Sequence, residues 1–164
     1  MLNRDYPEQE CSLARALEIV GERWSLLIIR DVFAGIRRYE DLHDSLGIAR
    51  NILQTRLTWL CDAGVLERRP YASNRYEYHL TKKGRDLWPA MMSLLAWGDR
   101  HCAEDGVPRI FKHKDCGGRM DDRVNCRKCG TPLTPRNVYA EWGPGSSAET
   151  RHFRDSLEAA SRVA

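Results

Sequence analysis

The stretch from Tyr39 to Gly64, YEDLHDSLGIARNILQTRLTWLCDAG, constrains the fold of this chain more than any other. Its first part has apolar residues at helical spacing and stops at Gly47, a residue suited to a tight turn. Its second part repeats the helical spacing with three leucines on one face, Leu53, Leu57 and Leu60. The stretch therefore predicts two short helices joined by a turn, the arrangement of a helix-turn-helix.

The second of these helices, predicted over 49–63, carries an unusual set of side chains on its outer face. Helical geometry directs Asn51, Thr55 and Thr58 away from the leucines, with Gln54 and Arg50 on the flank and near the leading end. Four of these polar residues are candidates for contact with bases, namely Arg50, Asn51, Gln54 and Thr55. Asn and Gln can hold adenine with two hydrogen bonds, Arg can hold guanine or phosphate, and Thr can contact phosphate or a thymine methyl. We therefore expect these four residues to face the major groove of double-stranded DNA.

Two short β-like runs follow the helix pair, separated by a segment that contains Pro, Ala, Ser and Asn. This pattern predicts a β-hairpin over 67–78, which after a helix-turn-helix is called a wing. The hairpin carries Arg69, Asn74 and Arg75, whose side chains suit the sugar-phosphate backbone or the minor groove. The expected fold is therefore mainly α with a small β-hairpin, a MarR-like winged helix-turn-helix.

Arg38, immediately before the helix pair, is a further candidate for contact with the DNA backbone. Together with Arg37 it could clamp a phosphate, or one of the two could pair with Glu40 or Asp41, and the sequence leaves both possibilities open. Residues 37–85 hold ten basic and six acidic side chains. A local basic excess of this kind is what phosphate binding requires, whatever the net charge of the whole chain.

A longer helical pattern over 82–104 has a wider apolar surface than one core requires. Pro89 should either kink this helix or mark its true start. Such a helix either packs fully against its own domain or pairs with a copy of itself. We favour a homodimer through this helix, since two-fold symmetry matches a palindromic operator.

The basic, turn-rich segment over 107–143 contains too few large apolar residues for a core. His113 and Cys116 are separated by two residues, as are Cys126 and Cys129, and this spacing is typical of paired metal-binding knuckles. Four nitrogen and sulfur ligands suit tetrahedral Zn²⁺ without an open position, which predicts a structural site in a zinc-ribbon-like unit. A degenerate ribbon without metal would show much the same pattern.

These elements divide the chain into three regions. We expect a winged helix-turn-helix and dimerisation domain over 1–106, the zinc-ribbon-like extension over 107–143, and a flexible tail or short helix over 144–164. His101 and Cys102 are rival metal ligands, although the predicted dimer helix should hold them away from the extension.

Composition and pattern limit the classes of function. No apolar run approaches the roughly 20 residues of a membrane-spanning helix, and the amino terminus lacks the apolar core of a signal peptide. We therefore expect a cytoplasmic protein without membrane association. An enzyme is disfavoured as well, because the chain has no recognisable nucleophile and base pair, no glycine-rich phosphate loop and no evident open metal site.

Residues 11–105 resemble the HxlR family of bacterial winged helix-turn-helix transcriptional regulators. The resemblance rests on four blocks in order, CSLARALEIVGERWSLLIIRDVFAGIRRYEDL, NILQTRLTWLCDAGVLERR, YEYHLTKKGRDLWPAM and LLAWG. It implies a dimeric repressor or activator with 49–63 as its recognition helix and 67–78 as its wing. A cysteine-bearing extension such as 107–136 is found in only part of that family.

Two interpretations of Cys11 stay open. Family members that sense oxidants or electrophiles use a cysteine in this position, near the start of the first helix, where a helix N-terminus lowers the pKa of a thiol. The alternative is a small buried residue under a dimer interface. A small-molecule or redox effector is the partner that the first interpretation implies.

Two hypotheses for the function follow from these observations. The first is a homodimeric, sequence-specific regulator that binds operator DNA through the helix over 49–63. In the second, the zinc-ribbon-like extension is a docking module for protein or single-stranded nucleic acid, and the winged domain is a dimeric scaffold. Truncation near Gly106, followed by a test of operator specificity, would discriminate between them.

Overall fold

The computed structural model describes residues 6–162, with side chains as far as residue 159. It is mainly helical with two small antiparallel hairpins, which confirms the predicted fold class. Residues 1–5 of the predicted winged domain and residues 163–164 of the predicted tail lie outside the described part of the chain. No described helix has the length and apolar character needed to cross a membrane. The elements are α1 (Ser12–Val20), α2 (Ser25–Phe33), α3 (Tyr39–Leu46), α4 (Arg50–Asp62), β1 (Leu66–Ala72), β2 (Arg75–Leu80), α5 (Lys82–Arg85), α6 (Trp88–His101), β3 (Arg109–His113), β4 (Val138–Trp142) and α7 (Ala148–Arg162).

The described chain divides into two compact units, one of residues 6–85 with 157–162 and the other of residues 86–156. In the first unit, α3 and α4 form the predicted helix-turn-helix. Gly47 between them has a left-handed backbone (φ 60°), a conformation that a Cβ would strain. Ile48 directly after it is buried, so the turn is anchored in the core and fixes the start of α4.

The wing is the antiparallel pair β1 and β2, whose register runs from Leu66 opposite Leu80 to Ala72 opposite Arg75. It is slightly longer than the predicted hairpin over 67–78. The Tyr78 amide donates to the carbonyl of Arg37 (2.8 Å). This bond holds the segment before α3 against the hairpin, and residues on that segment therefore lie beside the wing.

The predicted single helix over 82–104 is two helices, α5 and α6. Pro89 lies in the first turn of α6, where its missing N–H removes no helical hydrogen bond, so it marks the start of that helix. Gly84 in α5 approaches the backbone at the start of the wing so closely that a Cβ would lie 2.3 Å from the Val65 carbonyl oxygen. α5 is therefore tied to the winged unit.

The second unit combines α6 with the hairpin of β3 and β4. The Trp88 ring packs edge-on against Phe111, with ring centroids 6.2 Å apart, and its indole N–H donates to the Leu133 carbonyl. Because of these contacts the division of the chain falls at Asp86, whereas we predicted it at Gly106. A truncation at the predicted boundary would leave α6 without the residues it packs against.

The region predicted as a flexible tail or short helix contains α7. The Ser147 hydroxyl caps this helix by accepting the Thr150 amide (3.1 Å). The Trp142 indole N–H donates to the carboxylate of Asp155 (3.0 Å), which fixes the first half of α7 against β4. For the described residues, the helical alternative is the one observed.

Candidate nucleic-acid interface and metal centre

The outer face of α4 carries the polar side chains that the helical spacing placed there. Four of them are exposed: Arg50, Asn51, Gln54 and Thr55. The three leucines of the opposite face are fully buried. The bounds of α4 agree with the predicted 49–63 to within a residue at each end. A helix held by one apolar face, with polar groups free on the other, can enter a major groove.

Three of these side chains form hydrogen bonds within α4. The Asn51 side-chain oxygen accepts the Ile52 amide (2.9 Å). The Thr55 hydroxyl donates to the Asn51 carbonyl (2.8 Å), and the Gln54 amide donates to the Thr58 hydroxyl (3.2 Å). Bonds of this kind contribute roughly 0.5–1.5 kcal/mol each, because water competes for the same groups. The Gln54 amide can therefore exchange the Thr58 hydroxyl for the edge of a base without a large loss of stability.

Arg50, at the first turn of α4, is held by two residues of α3. Its guanidinium lies 2.7 Å from the Glu40 carboxylate and 5.9 Å from the centre of the Tyr39 ring. The hydrogen bond from Arg50 lowers the pKa of the Glu40 carboxyl. The Tyr39 hydroxyl also donates to the Arg50 carbonyl (2.8 Å), and so ties the two helices together. We did not predict either partner, although both residues stand in the sequence block just before the turn.

Arg38 lies beside the wing. Its Nε is 3.4 Å from the Glu77 carboxylate of β2, and its guanidinium lies 4.7 Å from the centre of the Tyr71 ring of β1. Glu40, one of the two partners considered from the sequence, pairs with Arg50 instead. Arg38, which directly precedes α3 in the sequence, therefore forms part of the surface of the hairpin.

The two candidate arginines of the wing are in different states. The Arg69 guanidinium is paired with Glu67 on the same strand (Nε to Oε1, 3.0 Å). Arg75 is exposed and makes no side-chain hydrogen bond or ion pair with the residues that the structure describes. Asn74 beside it has a left-handed backbone (φ 55°), a conformation that Asn tolerates better than most residues. Asn74 therefore shapes the tip of the hairpin, a role that the sequence pattern did not reveal.

Acidic partners thus accompany three of the four candidate arginines, Arg38, Arg50 and Arg69. The pairs of Arg50 and Arg69 are exposed and contribute only about 0–1 kcal/mol each, because water and salt screen the charges, whereas the pair of Arg38 with Glu77 is partly buried. A phosphate, which can accept two hydrogen bonds from one guanidinium, is able to replace such a partner. The pairs therefore position the arginines without excluding a polyanion.

The four predicted metal ligands converge in the second unit. One ligand atom from each of His113, Cys116, Cys126 and Cys129 lies within 4.8 Å of all the others. The His113 Nδ1 is 3.3 Å from the sulfur of Cys116 and also 3.3 Å from that of Cys129. The sulfur of Cys116 is 3.4 Å from that of Cys126. Residues far apart in the sequence are therefore brought to one point, as a tetrahedral metal site requires.

Each ligand pair lies on a tight turn that ends in a glycine. Gly117 and Gly130 both have left-handed backbones, with φ values of 68° and 71°. The Gly117 amide donates to the His113 carbonyl (2.9 Å), and the Gly130 amide donates to the Cys126 carbonyl (2.8 Å). These bonds close the two turns in the same way, so both ligands of a pair point to the same side.

The chemistry of the donor set fits zinc. Hydrogen bonding to the Thr131 hydroxyl and backbone amide lowers the pKa of Cys129 to about 6, so its thiolate, which is the metal-binding form, predominates at neutral pH. His113 and Cys126 are buried, and three sulfurs with one imidazole form a closed set of soft ligands. Within the described chain, the cluster does not include the rival ligands His101 and Cys102. This arrangement can bind a metal ion.

Cys11 is exposed and is the N-cap residue of α1. The backbone amides of Ala14 and Leu13 lower the pKa of its thiol, although the Cys11 side chain makes no capping hydrogen bond. The amides at the start of a helix act in this way because they point toward the cap and favour negative charge there. The Cys11 thiol is therefore accessible in the single chain and has a lowered pKa.

Comparison with known proteins places the chain among transcription factors. A model of HxlR-like helix-turn-helix proteins matches residues 19–106. An HTH-type transcriptional regulator of Mycobacterium tuberculosis strain H37Rv is 46% identical over 141 residues, which cover 84% of this chain and 89% of that protein. A regulator of Mycobacterium bovis matches with the same identity and coverage.

Solved structures resemble both units of the chain. The crystal structure of PA1607, a candidate transcription factor, is 34% identical and superposes with a TM-score of 0.63 over 82% of this chain and 96% of that one. The structure of PA1374 of Pseudomonas aeruginosa is 39% identical, with a TM-score of 0.51 over 87% of this chain and 99% of that one. The two structures match 82% and 87% of this chain, whereas the family model matches only residues 19–106. The structural matches therefore extend further into the second unit than the family model does.

Proposed function

Because the chain belongs to the HxlR-like helix-turn-helix family of transcriptional regulators, we propose that it is a homodimeric protein that binds operator DNA sequence-specifically. α4 would enter the major groove, and the wing would follow the backbone or the minor groove. The observation that carries this proposal is the two-sided character of α4: its leucines are buried, and four side chains able to read bases or phosphates are exposed at its leading end.

The candidate residues divide by the kind of contact they would make. Asn51, Gln54 and Thr55 carry amide and hydroxyl groups suited to base edges. Arg38, Arg69, Asn74 and Arg75 lie on or beside the wing, where contacts with phosphate and sugar are expected. Arg50, at the first turn of α4, can reach either a guanine or a phosphate. This division leads to different consequences of mutation for the two groups.

Replacing Asn51 or Gln54 with alanine is expected to relax base preference by roughly 1–3 kcal/mol, because a bidentate contact to one base is lost. Operator DNA from upstream of the protein's own gene and a scrambled duplex would be titrated in parallel gel shifts. The matched comparison is Arg75→Ala, which removes a cation at the tip of the wing. That variant should weaken binding to both duplexes equally and reduce the salt slope by about one.

These outcomes would separate base contacts from backbone contacts. The proposal fails if the unmodified protein binds operator and scrambled duplex equally. The roles of the two groups would be wrong if Asn51→Ala weakened binding to both duplexes by the same factor while Arg75→Ala changed the preference between them. Both sites are exposed, so thermal melting of the variants should stay close to that of the parent protein and exclude unfolding as the cause.

The dimer would form through α6, the second of the two helices within the predicted 82–104. Leu94 and Trp97 on this helix are 53% and 55% exposed in the single chain. They lie three residues apart and so occupy one face of the helix. Large apolar side chains concentrated on one exposed face are typical of a protein interface. A second copy of the chain is the partner that this function requires, because an operator with two half-sites needs two recognition helices.

Zinc would occupy the cluster of His113 and the three cysteines as a structural ion. The second unit has a small apolar core, so an additional source of stability is needed for it to fold. A metal ion held by four protein ligands supplies that stability when bound. In this proposal the metal acts through folding of the unit that also contains α6.

Cys11 would serve as a thiol sensor, since its accessible position combines with nearby backbone amides at the start of α1 that lower the pKa of the thiol. A thiol with a lowered pKa is alkylated at lower pH than one with a raised pKa. Burial raises the pKa of Cys61, which makes that thiol the internal comparison. Mass spectrometry of iodoacetamide labelling against pH should therefore show a lower midpoint for Cys11 than for Cys61. Equal midpoints, or a higher one for Cys11, would remove the basis for this role.

A further inference from the structure

A cleft of about 360 Å³ lies within the second unit, and no metal ligand lines it. One wall comes from α6, a second from β3, and a third from the segment of residues 119–127. Its volume lies at the lower end of the range typical of small-molecule sites, roughly 300–1,000 Å³. The DNA contacts and the metal proposed above do not involve this space.

The floor of the cleft is apolar. Ile110 and Phe111 of β3 line it together with Met120. The Met120 amide donates to the Phe111 carbonyl (2.9 Å), so β3 and the neighbouring segment are joined as adjacent extended chains. Val107 and Ala96 complete the apolar lining. The floor therefore suits the body of an aromatic or branched aliphatic molecule.

Three arginines supply positive charge around this floor. Arg119 and Arg127 are neighbours, because the Arg127 amide donates to the Arg119 carbonyl (2.9 Å). The Arg119 side chain makes no hydrogen bond or ion pair with any described residue. The Arg109 guanidinium lies 4.0 Å from the centre of the Trp142 ring. Arg109 therefore adds positive charge to this side of the cleft.

The other charges lining the cleft are already engaged, with one exception. Arg100 pairs with Asp122 (2.9 Å), and the Asp121 carboxylate accepts the amides of Arg123 and Asn125. The charges of Arg100 and Asp122 therefore offset each other, whereas the Asp121 carboxylate keeps its negative charge while it holds these two amides. The exception is Asp99 on the α6 wall, which forms no hydrogen bond or ion pair within the described chain.

We propose that this cleft binds a small organic anion, a carboxylate on an aromatic or branched aliphatic body. The body would lie on Ile110, Phe111 and Met120. The carboxylate would accept hydrogen bonds from Arg119, beside the positive charge of Arg127. Asp99 carries the charge opposite to that of the arginines and sets a limit on affinity for an anion. Binding of this anion does not depend on the proposed function. Only a role of the anion as an effector of DNA binding rests on the proposed function.

The test is a titration of 2-naphthoate into the purified full chain loaded with zinc, followed by isothermal calorimetry. Saturable binding is expected, and Arg119→Gln should weaken it about tenfold through loss of a charge-assisted hydrogen bond. Arg123→Gln is the matched control, because this exposed arginine does not line the cleft, and it should leave affinity unchanged. Asp99→Asn should tighten binding several-fold, since it removes a like charge near the ligand.

Three results would overturn the inference. The first is no binding of 2-naphthoate at millimolar concentration. The second is equal binding of 2-naphthalenemethanol, which has the same ring system and no charge. The third is equal weakening by Arg119→Gln and Arg123→Gln, which would indicate nonspecific attraction to a basic surface. No DNA is present in the titration, so a negative result would leave the proposed operator binding intact.

Discussion

Replacing Cys126 with serine is expected to abolish stoichiometric zinc and to unfold the second unit. The side chain is almost fully buried among the other three ligands, and serine is a much poorer zinc ligand than a thiolate. Structural zinc contributes roughly 10–16 kcal/mol of apparent binding free energy in small zinc-dependent units. A loss of that order exceeds what the small core around the site can replace. Elemental analysis of the purified protein and the dispersion of its amide NMR signals would measure the two effects.

Cys102→Ser is the matched control for this experiment. Cys102 is exposed and does not belong to the cluster, so its replacement should leave both zinc content and NMR dispersion unchanged. Removal of zinc from the unmodified protein with a chelator should reproduce the effect of Cys126→Ser, and added zinc should reverse it. Substoichiometric zinc in the intact protein would contradict the metal assignment. Full zinc content in the Cys126 variant would contradict the ligand set.

The second large effect is expected from Leu94→Asp on the exposed face of α6. A carboxylate at this position would be buried without a partner in the proposed interface, which should shift the protein to the monomer. A monomer binds one half-site at a time and loses the gain from linking two contacts, which amounts to roughly 10²-fold to 10⁴-fold. Analytical ultracentrifugation would report the assembly state, and a gel shift the loss of operator affinity.

Phe153→Asp introduces the same side chain at an exposed apolar position of α7, outside α6 and the face of Leu94 and Trp97. We expect this variant to remain dimeric and to retain operator affinity within a few-fold. Far-UV circular dichroism of both variants should match that of the parent protein, because neither replaced side chain is buried in the single chain. A dimeric Leu94→Asp variant would show that the subunits meet elsewhere.

The metal site and the dimer helix are linked in a way that the sequence did not predict. We expected α6 to belong to the winged domain, with the ribbon as a separate extension. Instead Trp88 at the start of α6 packs against Phe111 of β3 and donates to Leu133. Loss of zinc is therefore expected to disturb the surface that carries Leu94. The prediction that follows is weaker dimerisation of the chelated protein.

The sequence by itself determined features that depend on local backbone geometry. Buried leucines opposite exposed polar residues on α4 follow directly from a period of 3.6 residues. The turn at Gly47 and the start of α6 at Pro89 follow from the φ values that these two residues permit. The metal ligands could be named for a similar reason, because a turn of fixed length places two ligands on one side.

Only the tertiary structure decided which distant residues meet. Arg38 pairs with Glu77, which lies 39 positions further along the chain, and the nearby Glu40 pairs with Arg50. The cleft near Arg119 exists because α6, β3 and a turn-rich segment surround one space. Periodicity predicts which face of an element is apolar, but it does not specify the element on which that face packs. Ion pairs and cavities arise from that packing, and for this reason the sequence alone did not predict them.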